Sequence, residues 1–387
     1  MRHIFLNGPI QNGPFTFETT PGKAVGIRLA AALNAVIGAP PVPHLWNTVT
    51  LAGDLRHRQH TGSQVTREAF ESDLIAAKYP PGQPPVAGTL TDTDTEVASL
   101  ALEMIETNLR AGTLAICRES VPTCRGCGHM TGNGTHPCNA CGSTYTEDRT
   151  GLHLVAELAK DRPVLDRSDL HAGHRQQPKH LQNSAGNITQ RLILSRTRDH
   201  GIDLGPLGLP GLVLDPRVGV HVTVLAAARR LQATTAVMTI TQNAANHVAA
   251  HGQHFRTHDG TRLQYALHGH LPYDRTADLQ AAYEAYRASP GTVRAFETWF
   301  LPLFSLKEKN GTSPAQLPAL FKHFIRARMA QPAEPNPSTI EAVRHAIANG
   351  ITDWVMSRHA LAAVMPAREA ADSGESAAKF EQMGSFE

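Results

Sequence analysis

At 387 residues the chain is long enough for two or three domains and a large buried core. Its formal charge is +2 with basic and acidic residues interspersed, which excludes a strong polyanion-binding field. No stretch reaches the roughly 18 apolar residues of a membrane span, and Met1-Arg2-His3-Ile4-Phe5-Leu6 is too short for a signal peptide, so a cytoplasmic protein with no membrane partner is expected.

In chain order, His3–Leu6 reads as a buried strand that runs into a turn, Asn7-Gly8-Pro9-Ile10-Gln11-Asn12-Gly13-Pro14. Pro21–Ile37 reads as a helix, with Ala24, Ile27, Leu29, Ala30, Leu33 and Val36 on its apolar face. His44–Leu51 is the next strand, ending at Gly53-Asp54. Strand, glycine-bearing turn, helix, strand is the opening of a nucleotide-binding α/β domain. Ser63–Lys78 is a charged helix, Tyr79–Pro85 a break, and Thr93–Ala111 a second amphipathic helix.

That helix leads to Cys124-Arg125-Gly126-Cys127 and Cys138-Asn139-Ala140-Cys141, two CxxC pairs ten residues apart. Four thiolates from two tight turns close a tetrahedron around one zinc ion, which keeps a small knuckle folded without a core of its own. Two disulfides are the alternative. Five cysteines confined to Cys117–Cys141 and no secretory signal favour zinc at Cys124, Cys127, Cys138 and Cys141. A closed four-sulfur site is structural, so it does not name a reaction.

Leu152–Leu165 returns towards the body, and Arg167–Asn187 is a polar connection. Ile188–Arg196 and Gly211–Thr223 carry the next ordered elements, followed by a helix at Val224–Gln232. A strand at Ala236–Ile240, a helix at Asn243–Phe255 and a strand within Thr261–Leu271 come next. Helices follow at Ala277–Ala288, Thr292–Phe304, Leu317–Met329 and Thr339–Met365, with a tail over the last twenty or so residues. Among 21 histidines, His247, His251, His254 and His258 share one helical face if the helix extends that far. A His-rich composition accounts for them, with Gly252 weakening the helix, and a second metal is not predicted.

Several phrases, in sequence order, resemble methionyl-tRNA synthetase, a class I aminoacyl-tRNA synthetase. Asn7-Gly8-Pro9-Ile10 is similar to the phrase that leads into the HIGH signature, and Gly53-Asp54 to the start of GTDEH. Thr93-Asp94-Thr95, the helix through Leu109 and Gly112-Thr113-Leu114 resemble the entry to that family's zinc knuckle. Leu194-Ser195-Arg196 with His200-Gly201-Ile202 resembles ISR…WGIP, and Leu214-Asp215-Pro216-Arg217-Val218-Gly219 resembles FDAPIGY. Asn243 with His247 resembles the end of GKDNxxFH, and His268-Gly269-His270-Leu271 the HGFL strand.

The resemblance implies an α/β fold: a Rossmann-type class I synthetase catalytic domain split by a zinc-knuckle connective insertion, with a C-terminal helical region. The expected boundaries are 1–105 and 185–280 for the two catalytic halves, 106–184 for the insertion and 281–387 for the helices and tail. It also implies that Asn7, Asp54, His200, Asp215 and His247 bind substrate, with Asp54 holding its ammonium. Gln11, Asn12, Gly13, Gln242 and Asn243 would bind nucleotide. Bland alternatives stand beside three of these: Asp54 as a cap, Asp215 as a cap or as a partner of Arg217, and His247 as an ordinary helix histidine.

Both ATP signatures of the family are altered. Gln11-Asn12-Gly13-Pro14 stands where HIGH belongs, so both imidazoles are gone. After His268–Leu271 the KMSKS loop is replaced by Pro272–Leu279, with Arg275 its one cation. Lys307-Glu308-Lys309-Asn310-Gly311-Thr312-Ser313 falls about thirty residues too late. His171-Ala172-Gly173-His174 spells the lost signature but lies after the cysteines, so a chance motif is favoured. Two such elements supply several kcal/mol of transition-state stabilisation, and their loss argues against adenylation by the usual route. His200 replaces the tryptophan of WGIP and Val220 the aromatic of FDAPIGY, which alters a pocket built for a thioether.

The expected function is a ligase-type enzyme that binds, activates or esterifies an amino acid outside translation, in natural-product biosynthesis, with a separate cupin partner in N–N bond formation. A non-catalytic amino acid-, nucleotide- or tRNA-binding paralogue is the alternative, with ordinary tRNA charging third. Structural zinc and ATP are the candidate cofactors. No basic or aromatic platform in the C-terminal helices speaks for tRNA.

Overall fold

Ile4, Phe5 and Leu6 are fully buried, and His3–Asn7 forms strand β1. The computed structural model describes residues 3–8, 25–48, 87–131, 137–138, 140–158, 164–171, 183, 185–272, 275–307, 311–334 and 336–366. The chain divides into two units, Met1–Phe15 with Ala39–Leu267, and Thr16–Gly38 with His268–Glu387. The expected helix Ser63–Lys78, Asp54, the turn at Gln11-Asn12-Gly13 and the tail lie outside the described residues.

In the first unit β1 runs parallel to β9 (Thr235–Thr241), in register from His3 opposite Thr235 to Asn7 opposite Thr239. The sheet order is β1-β9-β11-β10, with β10 at Thr257–His258 and β11 at Thr261–His268. Six successive residues of β9 are buried, the near-continuous run of a strand covered on both faces. A second parallel pair joins β2 (His44–Trp46) to β3 (Thr89–Thr91). Helix α2 (Thr95–Arg110) follows β3, close to the span its amphipathic pattern predicts.

Helix α3 (Pro216–Arg230) begins eight residues before its expected start at Val224. Every residue from Val218 to Ala228 is buried, so the helix shows no polar face to mark it in the sequence. Its many valines are poor helix formers, and burial overrides that preference. Helix α4 (Gln242–His251) follows β9 and stops at Gly252, short of the expected Phe255.

The cysteine segment is carried by a long antiparallel ribbon, β4 (Leu114–Cys124) with β5 (Thr146–Glu157), paired from Leu114–Ala156 to Cys124–Thr146. Strand β6 (Arg191–Ile193) adds to the base of β5. The sequence pattern misses this ribbon because burial is confined to its base, with Leu154, Val155 and Ala156, and its tip, with Val121, Thr123 and Cys124, while the stretch between is partly or fully open to solvent. A short antiparallel pair, β7 (Ser195–Arg196) and β8 (Val213–Leu214), leads into α3.

The second unit is helical. Helix α1 (Val25–Ile37) packs on α7 (Leu301–Lys307) and α9 (Pro337–Ala348), and Arg344 Nε donates to the Val36 carbonyl at 3.1 Å. Between them lie α5 (Ala277–Ala285), α6 (Pro290–Ala295), a π-helical turn (Phe296–Phe300) and α8 (Leu317–Met329). Its core is aromatic: Phe296 meets Phe321 at 5.0 Å and Phe324 at 5.6 Å, and Tyr283 meets Phe321 at 4.6 Å. The expected helix Thr339–Met365 is two, since α9 ends before Gly350 (φ +68°) and α10 is Arg358–Val364. Among the described residues no helix is long and apolar enough to cross a membrane.

Candidate functional site

The four expected metal ligands come together at the tip of the ribbon. Cys124 Sγ is 3.4 Å from Cys141 Sγ, and Cys127 Sγ 3.6 Å from Cys138 Sγ; all four sulfurs lie within 4.8 Å of one another. A disulfide needs about 2.05 Å. Four sulfurs at about 2.3 Å from a shared zinc stand about 3.8 Å apart, close to what is seen. The two knuckles are built alike: Gly128 N–H donates to the Cys124 carbonyl at 2.8 Å, and Gly142 N–H to the Cys138 carbonyl at 2.7 Å. Both glycines sit at φ +73°, where a side chain would be strained. The cysteines therefore fit a zinc ion held structurally, with no open position for chemistry. Met130, just beyond the first knuckle, donates its N–H to Thr197 Oγ1 at 2.6 Å and accepts from Arg198 at 3.1 Å, which docks the knuckle on the loop after β7.

At the carboxyl end of β1, Asn7 is 4 % exposed and its amide is committed. Its Nδ2 donates to the Leu45 carbonyl at 3.1 Å, and its Oδ1 accepts the Leu45 N–H at 3.0 Å. The side chain thus stands in for a backbone ladder between β1 and β2. At the end of the neighbouring strand β9, Gln242 opens helix α4 and is 3 % exposed, yet neither nitrogen nor oxygen of its amide has a hydrogen-bond partner among the described residues. The side chain of the N-cap, Thr241, makes no capping bond either. A buried, unsatisfied amide costs about 1–3 kcal/mol, the kind of defect that a ligand repairs. Asn243 beside it is exposed.

Asp215 caps α3 and is fully buried. Arg196 Nε donates to its Oδ2 at 2.6 Å; Arg217 donates Nε to Oδ1 at 2.9 Å and Nη2 to Oδ2 at 2.8 Å. The charges of Arg196 and Arg217 hold this carboxylate well below its ordinary value, against burial, which pushes the other way. Asp215 thus takes the cap-and-pair arrangement that the sequence offers as its alternative, with Arg196 as a second partner brought by β7. Behind it, burial and Arg217 pull His251 down to about 4, and burial pulls His221 down to about 3. His221 places Nδ1 at 2.5 Å from the Arg217 carbonyl and Nε2 at 2.7 Å from the buried Tyr265 hydroxyl. The first contact requires a proton on Nδ1, so Nε2 accepts from Tyr265. Gly252 has to be glycine: a Cβ there would lie 2.1 Å from His221 Nε2.

A second carboxylate escapes the sequence reading. Asp92, at the end of β3, is 2 % exposed and accepts from Thr48 N–H at 2.8 Å and Asn47 Nδ2 at 3.0 Å, and burial raises its carboxyl. Asn47 also reaches the Pro216 carbonyl at 3.3 Å, tying β2 to the start of α3.

His200 is exposed on the loop after β7. His247 is half-buried, and its carbonyl accepts from His251 Nδ1 at 2.7 Å. The histidine face is broken because α4 ends at His251; His258 lies on β10, near Glu103 and Asp259. Among the described residues the cysteine tetrad is the one group of ligating side chains close enough for a metal. His171 is buried edge-on to Phe5 at 5.0 Å, while the rest of its motif lies outside the described residues. Arg275 makes a two-pronged contact to the buried Glu297, at 2.6 and 2.7 Å, and Lys307 pairs with Asp353. Thr312 N–H donates to the His270 carbonyl at 2.8 Å, so Thr312 lies beside the His268–Leu271 phrase.

This arrangement is similar in fold to solved methionyl-tRNA synthetases. Among the solved structures it resembles is Mycobacterium tuberculosis methionyl-tRNA synthetase in complex with methionyl-adenylate, at 14 % identity and TM-score 0.52, covering 94 % of this chain and 82 % of that one. A second structure of the M. tuberculosis enzyme, bound by methionyl-adenylate, matches at 12 % identity and TM-score 0.53 over the same shares. No family model matches the sequence, and no curated protein does.

Proposed function

We propose that this chain is an amino acid-activating ligase of the synthetase type that works outside translation, in natural-product biosynthesis, with a separate cupin-type partner. One observation carries the core of the reading. In a class I synthetase fold, the orphaned Gln242 amide lies at the carboxyl end of β9, beside the parallel strand β1, where such folds take ligands. In the proposed reaction the amino acid carboxylate attacks the α-phosphorus of ATP, forming the acyl–phosphate bond as pyrophosphate leaves. Gln242 and the N–H groups at the start of α4 would hold nucleotide oxygens, with Gln11, Asn12 and Gly13 as further candidates. Asp54 remains the candidate for the substrate ammonium, with His200 and His247 at the margins of the pocket. Asn7 and Asp215 would position rather than touch substrate. Zinc on Cys124, Cys127, Cys138 and Cys141 would hold the ribbon tip and take no part in bond making. The role outside translation and the cupin partner rest on the altered signatures in the sequence.

The second reading, a paralogue that binds without turnover, is favoured by one observation. Arg275, the cation of the segment that stands where the lysine loop belongs, and Lys307, which opens the late lysine segment, are each tied into an ion pair. Amino acid-dependent exchange of labelled pyrophosphate into ATP separates the two. Exchange above background with at least one amino acid supports the ligase; ATP and amino acid binding by calorimetry without exchange supports the paralogue.

A further inference from the structure

We propose that Arg196 and Arg217 form an oxyanion-recognition site that selects a substrate carrying a carboxylate in addition to the one that reacts, such as an acidic amino acid. The inference deepens the amino acid reading above and rests on it for the identity of the substrate.

Two guanidiniums converge on one buried carboxylate, Asp215, and leave a single positive charge over. Arg196 spends only Nε on Asp215, so its Nη1 and Nη2 meet no acceptor among the described residues, and neither does Nη1 of Arg217. The two side chains are 23 % and 30 % exposed, while Asp215 is wholly covered, so the arginines are the part of the cluster open to a ligand. A planar guanidinium with both terminal nitrogens free presents the fork that a carboxylate fills with two parallel hydrogen bonds.

Charge selects among oxyanions. His251, the other ionisable group that Asp215 and both arginines face, is buried and held neutral, so it adds nothing to the excess. His153 faces Arg196 from β5, and its ring is anchored on Ser195 Oγ at 2.9 Å; Glu119, on the same ribbon, is occupied by Arg191. One net positive charge matches a single carboxylate and falls short of a triphosphate. Arg196 and Arg217 sit in the two phrases, before His200 and before Val220, where the aromatic side chains expected for a thioether pocket are absent.

The test is calorimetric titration of the full-length, zinc-loaded chain with L-aspartate, L-glutamate, their amides L-asparagine and L-glutamine, L-methionine, and the ammonium-free dicarboxylates succinate and glutarate. At least one acid is expected to bind tenfold or more tighter than its own amide. Arg196→Gln should remove that preference while leaving the amide's affinity unchanged, and Arg196→Lys, which keeps the charge but not the fork, should restore it in part. Equal binding of acid and amide, an equal loss for both in Arg196→Gln, or loss of ATP binding alone would overturn the proposal. The wild-type comparison stands even if a variant fails to fold. Binding of succinate or glutarate with no amino acid bound would support the oxyanion site and defeat the amino acid reading; no binding of any acid would overturn the site.

Discussion

Two buried carboxylates, one in each unit, are held by arginine and differ in what is left over. Glu297, on the π-helical turn, receives Arg275 at 2.6 and 2.7 Å and the Tyr283 hydroxyl at 3.1 Å, and Arg28 adds its charge nearby. Both of those arginines have further partners, and Arg28 is held inside the core at 4 % exposure. Asp215 also faces two arginines, but their remaining N–H groups point to nothing in the described chain. Similar charges thus build a strut in one place and a socket in the other. What separates them is access: Arg28 beside Glu297 is 4 % exposed, whereas both arginines on Asp215 stand partly open to solvent.

The sharpest way to break that comparison is to neutralise each carboxylate. Asp215→Asn and Glu297→Gln should each destabilise by about 1.5–3 kcal/mol, because each weakens charge-assisted hydrogen bonds to arginines that stay partly open to water. Urea denaturation measures that loss. The outcomes should part in binding: Glu297→Gln should leave ligand affinity of the folded protein unchanged, whereas Asp215→Asn should alter acid affinity, since it frees the arginines to move.

Zinc removal comes next in size. The knuckle docks through Met130 on the loop that follows Arg196, so a chelator should weaken acid binding about tenfold and open the ribbon tip to protease. The Glu297 hub should be untouched. One zinc per chain, lost in Cys138→Ser, is the accompanying metal analysis.

The smallest effect is on pH dependence. His221 and His251 are lowered to about 3 and about 4 in the folded state, so the unfolded chain binds more protons below the usual histidine value near 6.5. Their contribution is whole above about pH 6.5 and is lost as the pH falls towards 4, by at most about 1.4 kcal/mol per pH unit for each. Asp215, also lowered, adds its loss below about pH 3.9, while the raised carboxyl of Asp92 works the other way. Urea midpoints measured between pH 7 and 5 should fall, and His251→Gln should flatten part of the slope.

Much of the fold was legible because its signals are local. The CxxC pairs, the apolar runs of β1 and β9 and the amphipathic period of α2 each announce themselves within a dozen residues. Helix α3 did not, since burial on all sides erases periodicity, and the β4–β5 ribbon did not, since its strands are mostly wet. The site was harder still. Arg196 meets Asp215 only because β7 pairs with β8, opposing Ser195 to Leu214, and no local pattern encodes that pairing. The one available hint was Arg217, two residues after Asp215 where the family phrase carries no charge. Asp92 was passed over because its burial depends on Asn47 and Thr48, more than forty residues away.

Pyrophosphate exchange run side by side with an acidic amino acid and its amide tests the central claim most directly. An activating pocket whose socket is made by Arg196 and Arg217 predicts exchange driven by the acid and little or none by the amide or by methionine. Exchange driven equally well by methionine or by the amide would contradict it.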